Sequence, residues 1–279
     1  MINRAGLITS LTAFCLGLGV MSAGGAAEDL PFSAAYAARA VQIEAFSGTL
    51  IVKVDTAKTA RLKLTGPKRQ RRSLRIAVRN KILRIHDQRP VRQTHNSVHV
   101  ERNIVIVGPG GYSNTVIGGQ QTATKSEQSA LRLELTLPAG LPLGIDAFLG
   151  ELEIGDTRGP VILSLAGGNA RIGRVHAATL KIEGTGKIIA ERVDGPLSIE
   201  VDGSGAVSVG DGAMPSLSIT ANGTADIAVG GKAETADIDA NGVADIRIEH
   251  VEASPNTSIN GVGSLTIGNW DTSEISPPR

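Results

Sequence analysis

Cysteine is all but missing from this sequence. The single Cys15 lies in an apolar stretch near the N-terminus, so no disulfide framework holds the chain and its stability must come from a core. Aromatic residues are scarce as well, at 3% of 279 residues, which leaves too few rings for a sugar-stacking platform or for the base-stacking surfaces of single-strand nucleic-acid binders. Catalytic signatures are missing too. There is no G-x-S-x-G, no H-E-x-x-H and no P-loop, because Lys181 stands where "EGTGKI" would need the first Walker glycine. No helical period emerges beyond the N-terminal segment. Glycine, by contrast, is abundant at 34 residues, and with Val, Ile and Leu it can build tight turns between stacked strands.

Residues 1–27 read as a cleavable signal peptide. Arg4 supplies the positive start, "LITSLTAFCLGLGV" the apolar stretch, and small residues lead to cleavage after Ala26 or Ala27. A fourteen-residue apolar stretch is short for a membrane span. Phe14, where a small residue is needed, argues against a lipid anchor on Cys15. The expectation is export to the periplasm or cell surface of a bacterial envelope, with no membrane span once the signal is removed.

The net charge of +1 conceals a polarity. Between Leu50 and Val105, fifteen Lys or Arg face only Asp55, Asp87 and Glu101; from Gly144 onward, nineteen Asp or Glu face nine Lys or Arg. The basic part is strand-like. "ARLKLT" turns Leu62 and Leu64 inward and ends at Gly66-Pro67, and "LRIAV" and "ILRIH" flank a hairpin turn at Asn80. "LRLELTLP" alternates with Leu131, Leu133, Leu135 and Leu137 on one face. The expected organisation is a signal peptide (1–27), a basic strand-rich part (28–106), a flexible loop (107–130), a repeat region (131–270) and a short tail (271–279).

The repeat is the strongest signal. "ITANGTADIAV" at 219–229 returns nineteen residues later as "IDANGVADIRI", and related units begin at 180, 197, 217, 236 and 257. Spacings of 17–21 residues between strand–Gly–strand units predict an all-β fold: a right-handed parallel β-helix, or solenoid, with one unit per coil. Ile219, Ile227 and Val229 are then expected over Ile238, Ile246 and Ile248, ~4.8 Å apart. No six-residue period points to the left-handed alternative.

With its leader, its strands "AVQIEAFSGTLIVKV", "ARLKLTGP" and "LRIAVRNKILRIHD", and its Gly-x-Gly repeats, the chain resembles the putative auto-transporter adhesin head GIN domain family over residues 39–270. The resemblance implies an exported bacterial β-helical domain. The matching motifs are fold motifs, including Gly66, Gly184, Gly186, Gly203, Gly205, Gly223, Gly242, Gly261 and Gly263, and imply no catalytic residue.

Two groups are candidate sites. The first is a basic patch of Lys68, Arg69, Arg71, Arg72 and Arg75, which could grip an anionic envelope component or protein partner; the plainer reading is the solvated face of alternating strands. The second is the recurring phrase itself. Gly203, Asn222, Gly223, Asn241 and Gly242 read as structural turn residues, with glycine supplying a positive φ and the amides stacking along the axis. Asp226 and Asp245 stack too, and are the weak metal candidates, since carboxylates repel without a cation. His95 and His99 fall on a strand, where residues four apart lie ~13 Å from each other, so no metal site is expected there. A carboxylate cluster of Glu200, Asp202, Asp226 and Asp245 is the basis of an alternative, a polysaccharide-active enzyme. A purely structural role is the third alternative. The favoured expectation is a non-enzymatic binding or scaffolding module without cofactor or nucleic-acid partner, with self-association through its opposite charges as a corollary.

Overall fold

Strand pairing runs through nearly all of the described residues in this structure, a computed structural model that describes residues 32–56, 58–89 and 131–270. The expected signal peptide with Cys15, the loop at 107–130, His95, His99 and the tail lie outside these residues.

The N-terminal part contributes β1 (Phe32–Tyr36), β2 (Ala40–Glu44), β3 (Ser47–Asp55), β4 (Ala60–Thr65), the one-turn helix α1 (Lys68–Arg71), β5 (Leu74–Arg79) and β6 (Ile82–Asp87). After the undescribed segment come β7 (Arg132–Pro138), β8 (Leu143–Ile154), β9 (Pro160–Val175), β10 (Ala177–Val193), β11 (Leu197–Val201), β12 (Ser204–Ala221), β13 (Thr224–Ala240), β14 (Val243–Val251), β15 (Asn256–Ile259) and β16 (Val262–Trp270). From β8 onward the strands stack in parallel, giving a β-solenoid of about seven turns. Long strands such as β12 and β13 bend around corners, so one strand lends its two ends to different faces.

The register follows the repeats. Ile219 pairs with Ile238, Ile227 with Ile246 and Val229 with Ile248. Coil lengths vary: Leu163 meets Leu180 and Ile199 meets Ile219. The inward residues on both sides of each corner are buried: Ile199, Val207, Ile219, Ile227, Ile238 and Ile246 are each no more than 1% exposed. Alternating strands stacked in register thus form one continuous apolar column, with each coil covering its neighbour.

The N-terminal end is built differently. The β2–β3 coil stacks in parallel on β8, and β6 and β7 stack in parallel on the other side of that coil. Antiparallel strands then close this end: β5 pairs with β6, β4 with β7, and β1 with β4. The expected hairpin is present, with Asn80 and Lys81 at φ 51° and 62°, the two positive values that a tight two-residue turn needs. Leu62, Leu64, Leu131, Leu133, Leu135 and Leu137 all face inward, as their alternation predicts. Helix α1 was not anticipated. Pro67 leads into it with φ −57°, and its single turn carries the chain from β4 on one side of the core to β5 on the other.

The corner glycines are retained for a different reason from the one expected. Gly203, Gly223 and Gly242 are not among the residues with positive φ. Instead, each approaches the coil before it: a Cβ on Gly223 would overlap the Gly203 carbonyl oxygen and lie 2.8 Å from its carbonyl carbon. The same holds between Gly242 and Gly223 and between Gly203 and Gly184. Close backbone approach, not left-handed conformation, excludes side chains at this corner.

Candidate functional site

The recurring phrase builds a ladder along the solenoid. Asn222 donates its amide to Asp202 Oδ1 at 2.9 Å, Asn241 donates to Asn222 Oδ1 at 3.2 Å, and Asn260 donates to Asn241 Oδ1 at 3.2 Å. Every rung joins neighbouring coils, so the side chains are committed to the stack. At its start stands Lys181, 3.0 Å from both Glu200 and Asp202 and 3.7 Å from Glu183. The bond from Asn222, followed by the pairing with Lys181, holds the Asp202 carboxyl below its ordinary value. The bonds that Lys181 donates to Asp202 and Glu200 in turn push its ammonium well above its own.

Asp226 and Asp245 do stack in register. Their repulsion is relieved by neighbours that sequence reasoning did not name. Arg247 donates to Asp226 at 3.1 Å, and the Ser264 hydroxyl donates to Asp245 at 2.7 Å. Among the described residues no group of three or more His, Cys, Asp or Glu is arranged to hold a metal ion. Glu200 and Asp202 fall on one side of the Gly corner, and Asp226 and Asp245 follow it on the other, so the structure divides this cluster. Among carboxyls whose pKa moves, Asp87, Glu134, Asp194 and Asp202 all move down, the reverse of what a general acid needs.

The basic patch is placed by α1. Lys68, Arg69 and Arg72 are exposed and Arg71 is half-buried, all on the turn that crosses the core's N-terminal end; exposed Arg75 follows on β5. The turn is pinned from below. The Ser73 hydroxyl bonds the Gln70 carbonyl at 2.6 Å and Asp87 Oδ1 at 2.8 Å. Asp87 is 1% exposed and accepts from Arg89 Nε at 2.8 Å, while Arg89 also donates to the Ser47 carbonyl. Burial pushes the Asp87 carboxyl up, but the bonds from Arg89 and Ser73 outweigh this and leave it below its ordinary value.

Beside this turn lies a pocket of about 510 Å³. Its floor is apolar, made by Phe32 and Tyr36 of β1, Leu64 of β4, and Leu74 and Ile76 of β5. Its rim carries Lys68, Arg71, Arg72 and Arg75; Arg69 is not part of it. Burial pushes the Tyr36 hydroxyl upward. Among the described residues the pocket lies at the N-terminal end of the core, beside the four-residue helix α1. It was not foreseen, because its lining comes from three strands that the sequence does not link by any period.

Two other depressions are less specific. One, of about 380 Å³, lies over Gly144 between Ile82 and Ile162. The other, of about 340 Å³, lies among Arg158, Arg174, His176 and Arg192, but Arg192 is already paired with Asp194 and Asp211. No described helix is long and apolar enough to cross a membrane.

Residues 150–275 match the family described as putative auto-transporter adhesin, head GIN domain, which bears out the resemblance over the C-terminal coils. The fold is similar to that of a putative adhesin from Bacteroides fragilis NCTC 9343, with a TM-score of 0.51 and 14% identity over 85% of this chain and 97% of that one. A putative lipid binding protein from Parabacteroides distasonis ATCC 8503 aligns with a TM-score of 0.41 and 15% identity, over 85% of this chain and 96% of that one. A putative adhesin from the same strain aligns at 0.38 and 12%, over 86% and 97%. At 14% identity the likeness to the Bacteroides fragilis protein is one of fold alone. No curated protein matches this chain.

Proposed function

Starting from the match of residues 150–275 to the head GIN domain family, we propose that this chain is an exported, non-enzymatic, adhesin-like module of the bacterial envelope. Its contact surface is the basic N-terminal end, and its partner is an anionic component of the envelope. One observation carries this reading: α1 gathers Lys68, Arg69, Arg71 and Arg72 on a single turn at the end of a rigid solenoid, with Arg75 beside it. Among the described residues, Lys68, Arg69, Arg72 and Arg75 make no salt bridge, so their charge is available to an outside anion. The carboxylates support the same reading. Asp202, Asp226 and Asp245, which the repeats bring into register, are engaged by Lys181, Arg247, Ser264 and the Asn ladder rather than set as a free acid–base pair of the kind a polysaccharide-cleaving enzyme requires.

The test is capture of envelope fractions by the immobilised protein, compared with an Arg69→Gln/Arg71→Gln/Arg72→Gln variant. The native protein should retain anionic envelope material that the variant loses, increasingly so as salt is lowered. Equal capture by both would remove the basic surface as the contact.

A further inference from the structure

We infer that the depression among Arg158, Arg174 and His176, on the side of the solenoid, binds a phosphate group, free or carried on a sugar. It shares no lining residue with the pocket at α1, and the reading of that surface stands or falls separately.

Two successive coils carry nearly the same phrase. Arg174-Val175-His176 closes β9 and Arg192-Val193-Asp194 closes β10, with Arg174 opposite Arg192 and Val175 opposite Val193 in parallel register. Like charges directly opposite each other on neighbouring strands repel. In the later coil the chain relieves this itself. Arg192 Nε donates to both Asp194 oxygens at 2.8 Å, and its guanidinium also pairs with Asp211 of the next coil. In the earlier coil His176 stands where Asp194 would, and brings a ring nitrogen in place of a carboxylate.

Arg174 is exposed, and among the described residues its guanidinium has no ion pair. Asp156, one coil earlier, accepts from the Arg174 backbone N–H at 2.9 Å instead. Arg158 adds a further cation from that coil, also exposed and without an ion pair among the described residues. It stands at φ 52°, a left-handed conformation that is costly for a residue with a Cβ, and its N–H bonds the Arg174 carbonyl at 3.2 Å.

The lining thus sets three arginines and a histidine against the single Asp194. Arg192 alone engages two carboxylates, so one more carboxylate would leave part of the remaining donors unmet. A phosphate monoester offers three oxygens and nearly two charges at neutral pH. It can join the forks of Arg158 and Arg174 together and accept from His176 as well. The volume of about 340 Å³ falls in the range of small-molecule sites and leaves room beside the phosphate for a sugar ring.

The full chain is titrated at low ionic strength with glucose 6-phosphate, inorganic phosphate, glucuronate and glucose, followed by NMR chemical shifts. Both phosphates are expected to move the Arg158, Arg174 and His176 signals and to bind at least about tenfold more tightly than glucuronate, with glucose inert. Tighter binding of glucose 6-phosphate than of phosphate assigns the sugar to the depression; equal binding assigns the site to phosphate alone. Arg158→Gln/Arg174→Gln should weaken both by about tenfold or more. His176→Asp writes Arg-Val-Asp into both coils and gives Arg174 the partner that Arg192 has. It should weaken phosphate by about tenfold or more, while the urea midpoint holds or rises. Arg69→Gln/Arg72→Gln, at α1, should leave these shifts unchanged. Phosphate binding that survives His176→Asp, equal affinity for glucuronate, or dependence on the α1 arginines instead would each overturn the inference. So would absence of binding, including where another segment of the chain covers the depression.

Discussion

Replacing Gly223 by Ala tests why the corner is glycine. The new Cβ would overlap the Gly203 carbonyl oxygen and sit 2.8 Å from its carbon and 2.9 Å from the Asp202 carbonyl oxygen. All of these are backbone atoms held by the stack, since Thr224 N bonds the Gly203 carbonyl at 2.9 Å, so no flexible side chain can move aside. Overpacking of this kind costs about 3 kcal/mol at the upper end of its usual range. The stiffer unfolded chain returns somewhat under about 1 kcal/mol, leaving a net loss of about 2 kcal/mol. Gly144 is the control. A Cβ there would meet nothing nearer than the Val41 carbonyl oxygen at 3.9 Å, so Gly144→Ala should be neutral or stabilising by about 0.5 kcal/mol. Urea unfolding midpoints at unchanged slope separate the two. A third variant, Gly223→Asn, distinguishes the two explanations of the corner. Asn adopts left-handed backbone readily, so it would recover most of the loss if conformation were the requirement, whereas close approach penalises Asn as much as Ala. Equal stability of Gly223→Ala and Gly144→Ala, or rescue by Asn, would refute the close-approach account.

Asp87→Asn should destabilise the N-terminal end by about 2–3 kcal/mol near neutral pH, because it leaves Arg89 without its carboxylate. The folded carboxyl is held low, so its contribution is present above the unfolded value of about 3.9 and disappears as pH falls through the folded value. The stability gap between native and variant proteins should therefore close in acid; a gap unchanged from pH 7 to strongly acidic conditions would refute the pairing. Asn222→Ala and Asn241→Ala should each cost about 0.5–1 kcal/mol in thermal or urea unfolding, and their double variant less than the total, because they share a rung. Asn222→Ala and Lys181→Met should each raise the Asp202 carboxyl pKa, followed by carboxyl NMR titration, with Asn222 removing the largest single contribution.

How legible these features were depends on whether their causes lie within one coil length. Ile219 over Ile238 was readable because both sit in the same phrase, and parallel stacking turns equal sequence position into equal height. The ladder of Asn222 and Asn241 was readable for the same reason, and Asn260, one coil further, extends it. Lys181 stands one coil before Glu200, so its pairing was within reach of the same alignment once charges were compared down a column. The corner glycines show the limit of that approach: a residue without Cβ satisfies both a conformational and a steric demand, and composition cannot tell the two apart. Asp87, Arg89, Ser73 and Ser47 come together only because β6 lies between β5 and β2, a pairing no repeat announces. Helix α1 is shorter than any period that could reveal it, and the pocket beside it exists only once β1, β4 and β5 have closed one end of the core.

The Asn ladder has a consequence for the length of the molecule. Each rung satisfies one coil against its predecessor and presents the same amide to the next, so a coil asks nothing of residues further away. An in-frame copy of residues 217–235 inserted after itself would find the partners its original has, and would lengthen the solenoid by one strand spacing, ~4.8 Å. Duplication by unequal recombination is therefore nearly free of packing penalties here, whereas in a globular core it would be ruinous. The phrases at 219–229 and 238–248, which share seven of eleven residues, have the pattern such an event would leave. The distance between the basic end and the far end is thus a heritable quantity, adjustable one coil at a time.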